Sequence, residues 1–322
     1  MMEFDPGLMQ GAQKAVQQCM GIKAGEVCLV VTDDRLSSLA AYFVQACREQ
    51  QAETLVITMA PRSIHGEEPP APVGGALLGA NCALLITSAS LTHTKARGAA
   101  TQAGVRIASM PGLTAEMIRG PLNADHAEIT LLSEGMAKLL SEATQAILIS
   151  ERGTHLTFDL TGRQAIADAG MLQQPGKWGN LPAGESYIAP LEGKTSGTLV
   201  IDGMMAGVGI LQEPIMADVR QGKFVKISGG AEALELEKIL SEADENAGSI
   251  AELGVGTNRQ AELMGSILVD EKVFGTVHVA IGNNAFMGGA QHSQIHLDGV
   301  ILKPTLIIDG KTVIEGGQHV WL

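Results

Sequence analysis

Aromatic residues make up only 3% of this chain, and its 22 lysines and arginines are few and scattered beside 35 aspartates and glutamates. Each scarcity excludes something. With so few rings, the core must be built from Ala, Val, Ile, Leu and Met. A formal net charge of −13, with no basic stripe carrying interleaved aromatics, argues against a nucleic-acid partner, which needs clustered cations for phosphates. No apolar run is long enough to span a bilayer, so no membrane association is expected. The opening Met1-Met2-Glu3-Phe4-Asp5-Pro6 lacks the basic and apolar regions of a secretion signal, and a cytoplasmic location is expected. The four cysteines, Cys19, Cys28, Cys47 and Cys82, form no metal-type spacing and read as small buried hydrophobes.

What is abundant is apolar and small: 45% hydrophobic residues and 39 glycines, the composition of a well-packed protein with many tight turns. A length of 322 residues predicts two domains, drawn at 1–145 and 146–322. In the first, Glu26–Thr32, Thr54–Met59, Ala83–Thr87 and Val105–Ala108 read as short buried strands separated by helical stretches, which implies βαβ units and a parallel sheet. Asp33-Asp34 is read as the N-cap of a helix from Leu36 to about Gln50. Gly74-Gly75-x-x-x-Gly79 matches no nucleotide loop and is read as a helix-entry loop. A helix pattern from Asp125 to Thr144 leads into the second domain. There, Leu156–Leu160, Gly197–Asp202 and Phe224–Ser228 alternate in the antiparallel style, Ala231–Glu242 is helical, and Asp309-Gly310 predicts a type I′ hairpin within 306–314. The expected fold is therefore α/β: an N-terminal parallel α/β domain followed by a mostly antiparallel β domain with one or two helices.

The chemistry concentrates in that second domain. In Gln294-Ile295-His296-Leu297-Asp298 a strand would send Ile295 and Leu297 to one face and His296 and Asp298 to the other, offering two ligands about 7 Å apart. His278 lies between Val277 and Val279 and should project from the face opposite them. Between these strands, Gly288-Gly289 reads as a flexible turn beside a pocket. Two carboxylates complete the set: Glu252, among apolar and glycine residues, and Glu185, after a Pro/Gly loop. Imidazole and carboxylate donors together suit Zn, Mn, Co or non-haem Fe. Glu232, Glu235, Glu237 and Glu242 read instead as a solvated helix face.

These segments together resemble the thermophilic aminopeptidase T/S family. The matching stretches are Asn180-Leu181-Pro182-x-Gly184-Glu185, Ala251-Glu252-Leu253-Gly254, Asp270-Glu271-Lys272 leading to His278-Val279-Ala280-Ile281-Gly282, and Ile295-His296-Leu297-Asp298. The resemblance implies metal ligation by Glu185, Glu252, His278, His296 and Asp298, one or two Zn, Co or Mn ions, and Glu185 as both ligand and general base. It also implies a homodimer and a short-peptide or other small-molecule substrate. Where that family carries a catalytic tyrosine, this chain reads Gly282-Asn283-Asn284-Ala285-Phe286; Tyr187 would share a face with Glu185 only in an extended segment.

The chain is also similar to the 2,5-dihydroxypyridine ring-cleaving dioxygenases, through Lys177-Trp178, Gly197–Asp202, Gly229-Gly230-x-Glu232-Ala233 and His296-Leu297-Asp298. That likeness implies one Fe(II) held by two histidines and an aspartate, the first of those histidine positions falling on Glu252 here; a triad of His278, His296 and Asp298 is the alternative, though not the simple correspondence. Chain length favours this branch and ligand identity the peptidase branch. The leading expectation is a metal-dependent, aminopeptidase-like hydrolase of a small peptide or amide. The alternatives are an Fe(II) ring-cleaving dioxygenase and a metal-binding protein without catalysis.

Overall fold

The computed structural model describes residues 4–321. Met1, Met2 and Glu3, part of the segment read for a secretion signal, lie outside the described residues. The chain forms two compact units: Met1–Ala127 with Gly170–Ala183, and Glu128–Ala169 with Gly184–Leu322. One cut near residue 145 was expected. Instead the second unit takes the helix His126–Glu142 from Glu128 onward, and Gly170–Ala183 returns to the first unit to add a strand.

The first unit is a five-stranded parallel sheet, ordered Glu53–Met59, Val27–Asp33, Cys82–Ile86, Arg106–Ser109 and Trp178–Asn180. Its inner strands are buried on both faces, which is why they read as unbroken apolar runs rather than as alternation. The edge strand Glu53–Met59 is more open, leaving Leu55 and Val56 exposed. Two local features differ from expectation. Gly74 and Gly75 lie inside the helix Ala71–Leu78, which Pro70 precedes, and not in an entry loop. The helix after the first strand starts at Ser37 with no side-chain cap. Asp33 instead accepts the backbone N–H groups of Arg35, Leu36 and Ser88 and the Ser88 hydroxyl, a turn-forming role.

The second unit holds an eight-stranded and a seven-stranded sheet, with antiparallel pairing throughout both, and the helix Ala231–Glu242. One apolar core joins them: Phe158, Leu199 and Ile215 from the first pack in the same cluster as Leu253, Val255, Val279 and Ile301 from the second. The hairpin Thr305–Ile308 to Lys311–Glu315 turns through Asp309 and Gly310, both at positive φ, as a type I′ turn requires. The α/β class and its order, parallel part first and antiparallel part second, are those read from the sequence. Among the described residues no helix is long and apolar enough to cross a membrane.

Candidate metal centre

The seven-stranded sheet runs Gly209–Ile210, Met204–Met205, His296–Ile301, Val277–Gly282, Ile250–Gly256, Glu185–Ile188 and Ile166–Asp168. In its central strands Leu253, Val255, Val277, Val279, Ile281 and Ile301 face the apolar core. Alternation then sends Glu252, Gly254, His278, Asp298 and His296 to the opposite face. Register does the rest: Gly254 pairs with His278, Gly256 with Glu185, Ala280 with both Glu252 and Asp298, and Gly282 with His296. Small residues thus stand beside each large polar one. A Cβ on Gly254 would lie 1.9 Å from His278 Nε2, so only glycine leaves room for the imidazole to lie across the neighbouring strand.

All five residues singled out from the sequence meet on this face. Glu252 is the hub, with its two oxygens pointing to different histidines. Oε1 lies 3.2 Å from His278 Nε2, and Oε2 lies 3.3 Å from His296 Nε2. Beyond His278, Glu185 Oε2 is 3.2 Å from the same Nε2. Beyond His296, Asp298 Oδ1 is 3.5 Å away. Two sets of donor atoms, each within 4.8 Å of one another, therefore share Glu252: Glu185–Glu252–His278 and Glu252–His296–Asp298.

The donor chemistry fits a divalent cation. His296 Nδ1 lies 2.8 Å from the Asn283 carbonyl, a contact that needs the proton on Nδ1. A neutral ring then presents the Nε2 lone pair to two buried carboxylates, an arrangement satisfied by a metal ion or by a second proton. Burial pulls the His296 pKa down, but the Asp298 and Glu252 carboxylates outweigh it and hold the pKa well above the ordinary histidine value. His278 behaves likewise under Glu185 and Glu252. His278 Nδ1 is buried and, among the described residues, has no hydrogen-bond partner. Burial pushes the Asp298 carboxyl up, yet the His296 charge brings it below the usual carboxylate range.

Several members of this site were not assigned roles from the sequence. Lys272, only 1% exposed, places Nζ 2.9 Å from Glu185 Oε1 and 3.9 Å from Asp168 Oδ2, and bonds Glu271 more closely still. Burial and the Glu185 charge raise the Glu271 carboxyl to about 8. Burial would raise Glu185 as well, but Lys272 and His278 bring it to about 2, where it is a weak proton acceptor at neutral pH. The one sequence signal for this cluster was the charged run Asp270-Glu271-Lys272 just before an apolar strand. Asp168 carried no signal, because only strand pairing with Glu185 brings it near. Tyr187 does share the Glu185 face, since Glu185–Ile188 is a strand, and burial with the Glu185 charge keeps its phenol protonated.

The loop between the two histidine strands is tied down, in contrast to the flexible turn expected at Gly288-Gly289. Arg163 bonds Glu192 and donates to the Gly288 carbonyl; Glu192 accepts from Asn284 and from the Ala290 N–H. This holds Phe286, 56% exposed, edge-on to the His296 ring at 5.1 Å.

A 2,5-dihydroxypyridine 5,6-dioxygenase of Pseudomonas putida is 25% identical over 253 residues, covering 74% of this chain and 71% of that protein. The solved 2,5-dihydroxypyridine dioxygenase of Pseudomonas putida KT2440 superposes with a TM-score of 0.81 at 18% identity, over 98% of this chain and 97% of that one. Wild-type AmpT from Thermus thermophilus shares the fold at a TM-score of 0.71 and 15% identity, over 99% of this chain and all (100%) of AmpT. The hydrolase, aminopeptidase and metalloprotease expectation is thereby overturned. Ligand types resembling the peptidases had outweighed chain length, but the similarity that extends along the chain leads to the dioxygenases, and the peptidase likeness at this identity is one of fold. The match to the family described as NicX: 2,5-dihydroxypyridine 5,6-dioxygenase runs over residues 8–321, and the chain belongs to that family.

Proposed function

We propose that this enzyme opens the ring of a hydroxylated N-heteroaromatic of the 2,5-dihydroxypyridine type, using one Fe(II) held by Glu252, His296 and Asp298. The observation that carries the reading is the family match over residues 8–321. The Glu252–His296–Asp298 donor set supports it. One imidazole and two carboxylates suit ferrous iron, and differ by one donor from the two-histidine, one-carboxylate triad of many non-haem iron oxygenases. The chemistry required of the ion is one-electron exchange between an electron-rich ring and dioxygen.

The remaining work falls to the chain. The Asn283 carbonyl fixes the His296 tautomer and leaves Nε2 free to ligate. Phe286 braces the same ring from its exposed edge. His278 Nε2, between Glu185 and Glu252, holds a proton close to the ligand carboxylate. The reaction balances without an outside reductant: the C5–C6 bond breaks, both oxygen atoms of O2 enter, C5 becomes a carboxyl carbon and C6 an N-formyl carbon.

The test is anaerobic loading with Fe(II), then 2,5-dihydroxypyridine and oxygen. Equimolar oxygen uptake, with both atoms of 18O2 found in the ring-opened product, is the expected result. An iron-loaded, folded protein that leaves the compound intact would remove this substrate class.

A further inference from the structure

We infer that the Lys272 ammonium fills the cation position of the Glu185–His278 half of the site, so that this chain binds one divalent ion and not two. The inference rests on the metal-site reading above. By donor type and spacing the two halves are equivalent: Glu185, Glu252 and His278 converge as closely as Glu252, His296 and Asp298. They differ in what else reaches them. Lys272 is a buried cation bonded to Glu185 and Glu271, with Asp168 beside it. On the other side, among the described residues, no lysine or arginine pairs with Glu252 or Asp298, whose ion-pair neighbours are histidines.

The carboxylate of Glu185 is already divided. Its Oε1 takes the lysine at 2.9 Å and its Oε2 faces His278 Nε2 at 3.2 Å. A divalent ion on Oε2 would share that one carboxylate with the ammonium on Oε1, in a pocket where Glu185 and Lys272 are both buried and water screens little. Like charges so placed repel strongly, and the lysine is covalently present at every ion concentration. Glu252 keeps Oε2 for the His296 side, where, among the described residues, no lysine or arginine competes and the only ion-pair partner is the ligand histidine itself. The lysine thereby makes a two-pocket site into a one-ion site.

Ion counting tests this directly. Chelator-stripped full-length protein is saturated with Mn(II), desalted and measured by elemental analysis and by electron paramagnetic resonance. Wild type should hold one ion with the spectrum of an isolated Mn(II). Lys272→Met and Lys272→Gln should take up two, spin-coupled, while Lys272→Arg keeps one. Two ions on the wild type would overturn the inference without any variant, as would folded Lys272→Met and Lys272→Gln proteins that still hold one. If neither of these variants folds, Glu185→Gln decides: its single ion should bind with affinity within a fewfold of wild type, and a loss beyond tenfold would overturn the inference. His296→Ala separates the two layers. If wild type holds two ions and His296→Ala removes one, the site reading stands and the lysine inference falls; if His296→Ala retains full binding, the site reading itself falls.

Discussion

The two units of this protein treat buried charge in opposite ways. In the first, Arg106, 8% exposed, meets Glu26 through two parallel bonds of 2.9 and 2.7 Å, one cation against one anion. Two of its cysteines are held as thiols: hydrogen bonding to a neighbouring thiol and burial push Cys28 and Cys82 far up. In the second unit, Glu185, Glu252, Glu271 and Asp298 gather around a single lysine and two histidines. A closed pair has no capacity left to bind anything, whereas carboxylates shared between histidines on rigid strands form a donor set that a cation can enter. The difference follows from sheet type. A parallel sheet covered on both faces must fill both with apolar side chains; the antiparallel sheet commits one face to the core and leaves the other for polar groups.

The contrast can be broken most forcefully at His296. His296→Ala should lower divalent-ion affinity at least about a hundredfold, while Glu26→Gln should leave it untouched; competition with a metal-sensitive dye measures both. Next comes the glycine that makes room for the site. Gly254→Ala drives a Cβ into the space of the His278 ring and should destabilise the second unit by about 1–3 kcal/mol. Gly98→Ala, in the helix Lys95–Gln102 of the first unit with nothing within 4 Å of the added carbon, should be neutral or stabilising by up to about 1 kcal/mol. Denaturant midpoints compare the two.

Glu26→Gln leaves the Arg106 guanidinium buried and poorly paired, and should cost the first unit about 1–2 kcal/mol in the same assay. A pH dependence separates the units as well. Burial, helped by the Arg259 charge, holds His319 down to about 4, and the ring is kept neutral with Nδ1 accepting from the Trp321 indole at 3.1 Å. A depressed histidine contributes its stability in full above the unfolded value near 6.5, and loses it as pH falls through the folded value. The second unit should therefore weaken by up to about 3 kcal/mol between pH 6.5 and 4, a slope that His319→Gln should flatten.

Much of the site was legible from strand alternation alone. Val277 and Val279 flanking His278, and Ile295 and Leu297 flanking His296, were enough to put the histidines and Asp298 on a polar face, and Glu252 stood out because no charged neighbour explained it. The Asp309-Gly310 turn was legible for the same local reason, since few residue pairs tolerate two successive positive φ angles. Misreadings arose where local rules compete: Gly74-Gly75 signals a loop in isolation, but apolar neighbours such as Val73 and Leu77, buried against the sheet, keep it helical.

Local pattern, then, determined the elements, their order and the faces they present, because alternation and turn chemistry act over a few residues. Only the tertiary structure decided that Glu252 would divide its oxygens between two histidines, and that Lys272 would reach Glu185 across a sequence separation of 87 residues. Those facts depend on which strands become neighbours and in what register, and pairing is set by the burial of whole sheets rather than by any residue within them. The ligand types, read one by one, could not distinguish hydrolysis from ring cleavage; a lysine already seated in one half of the site is a feature of the folded chain alone.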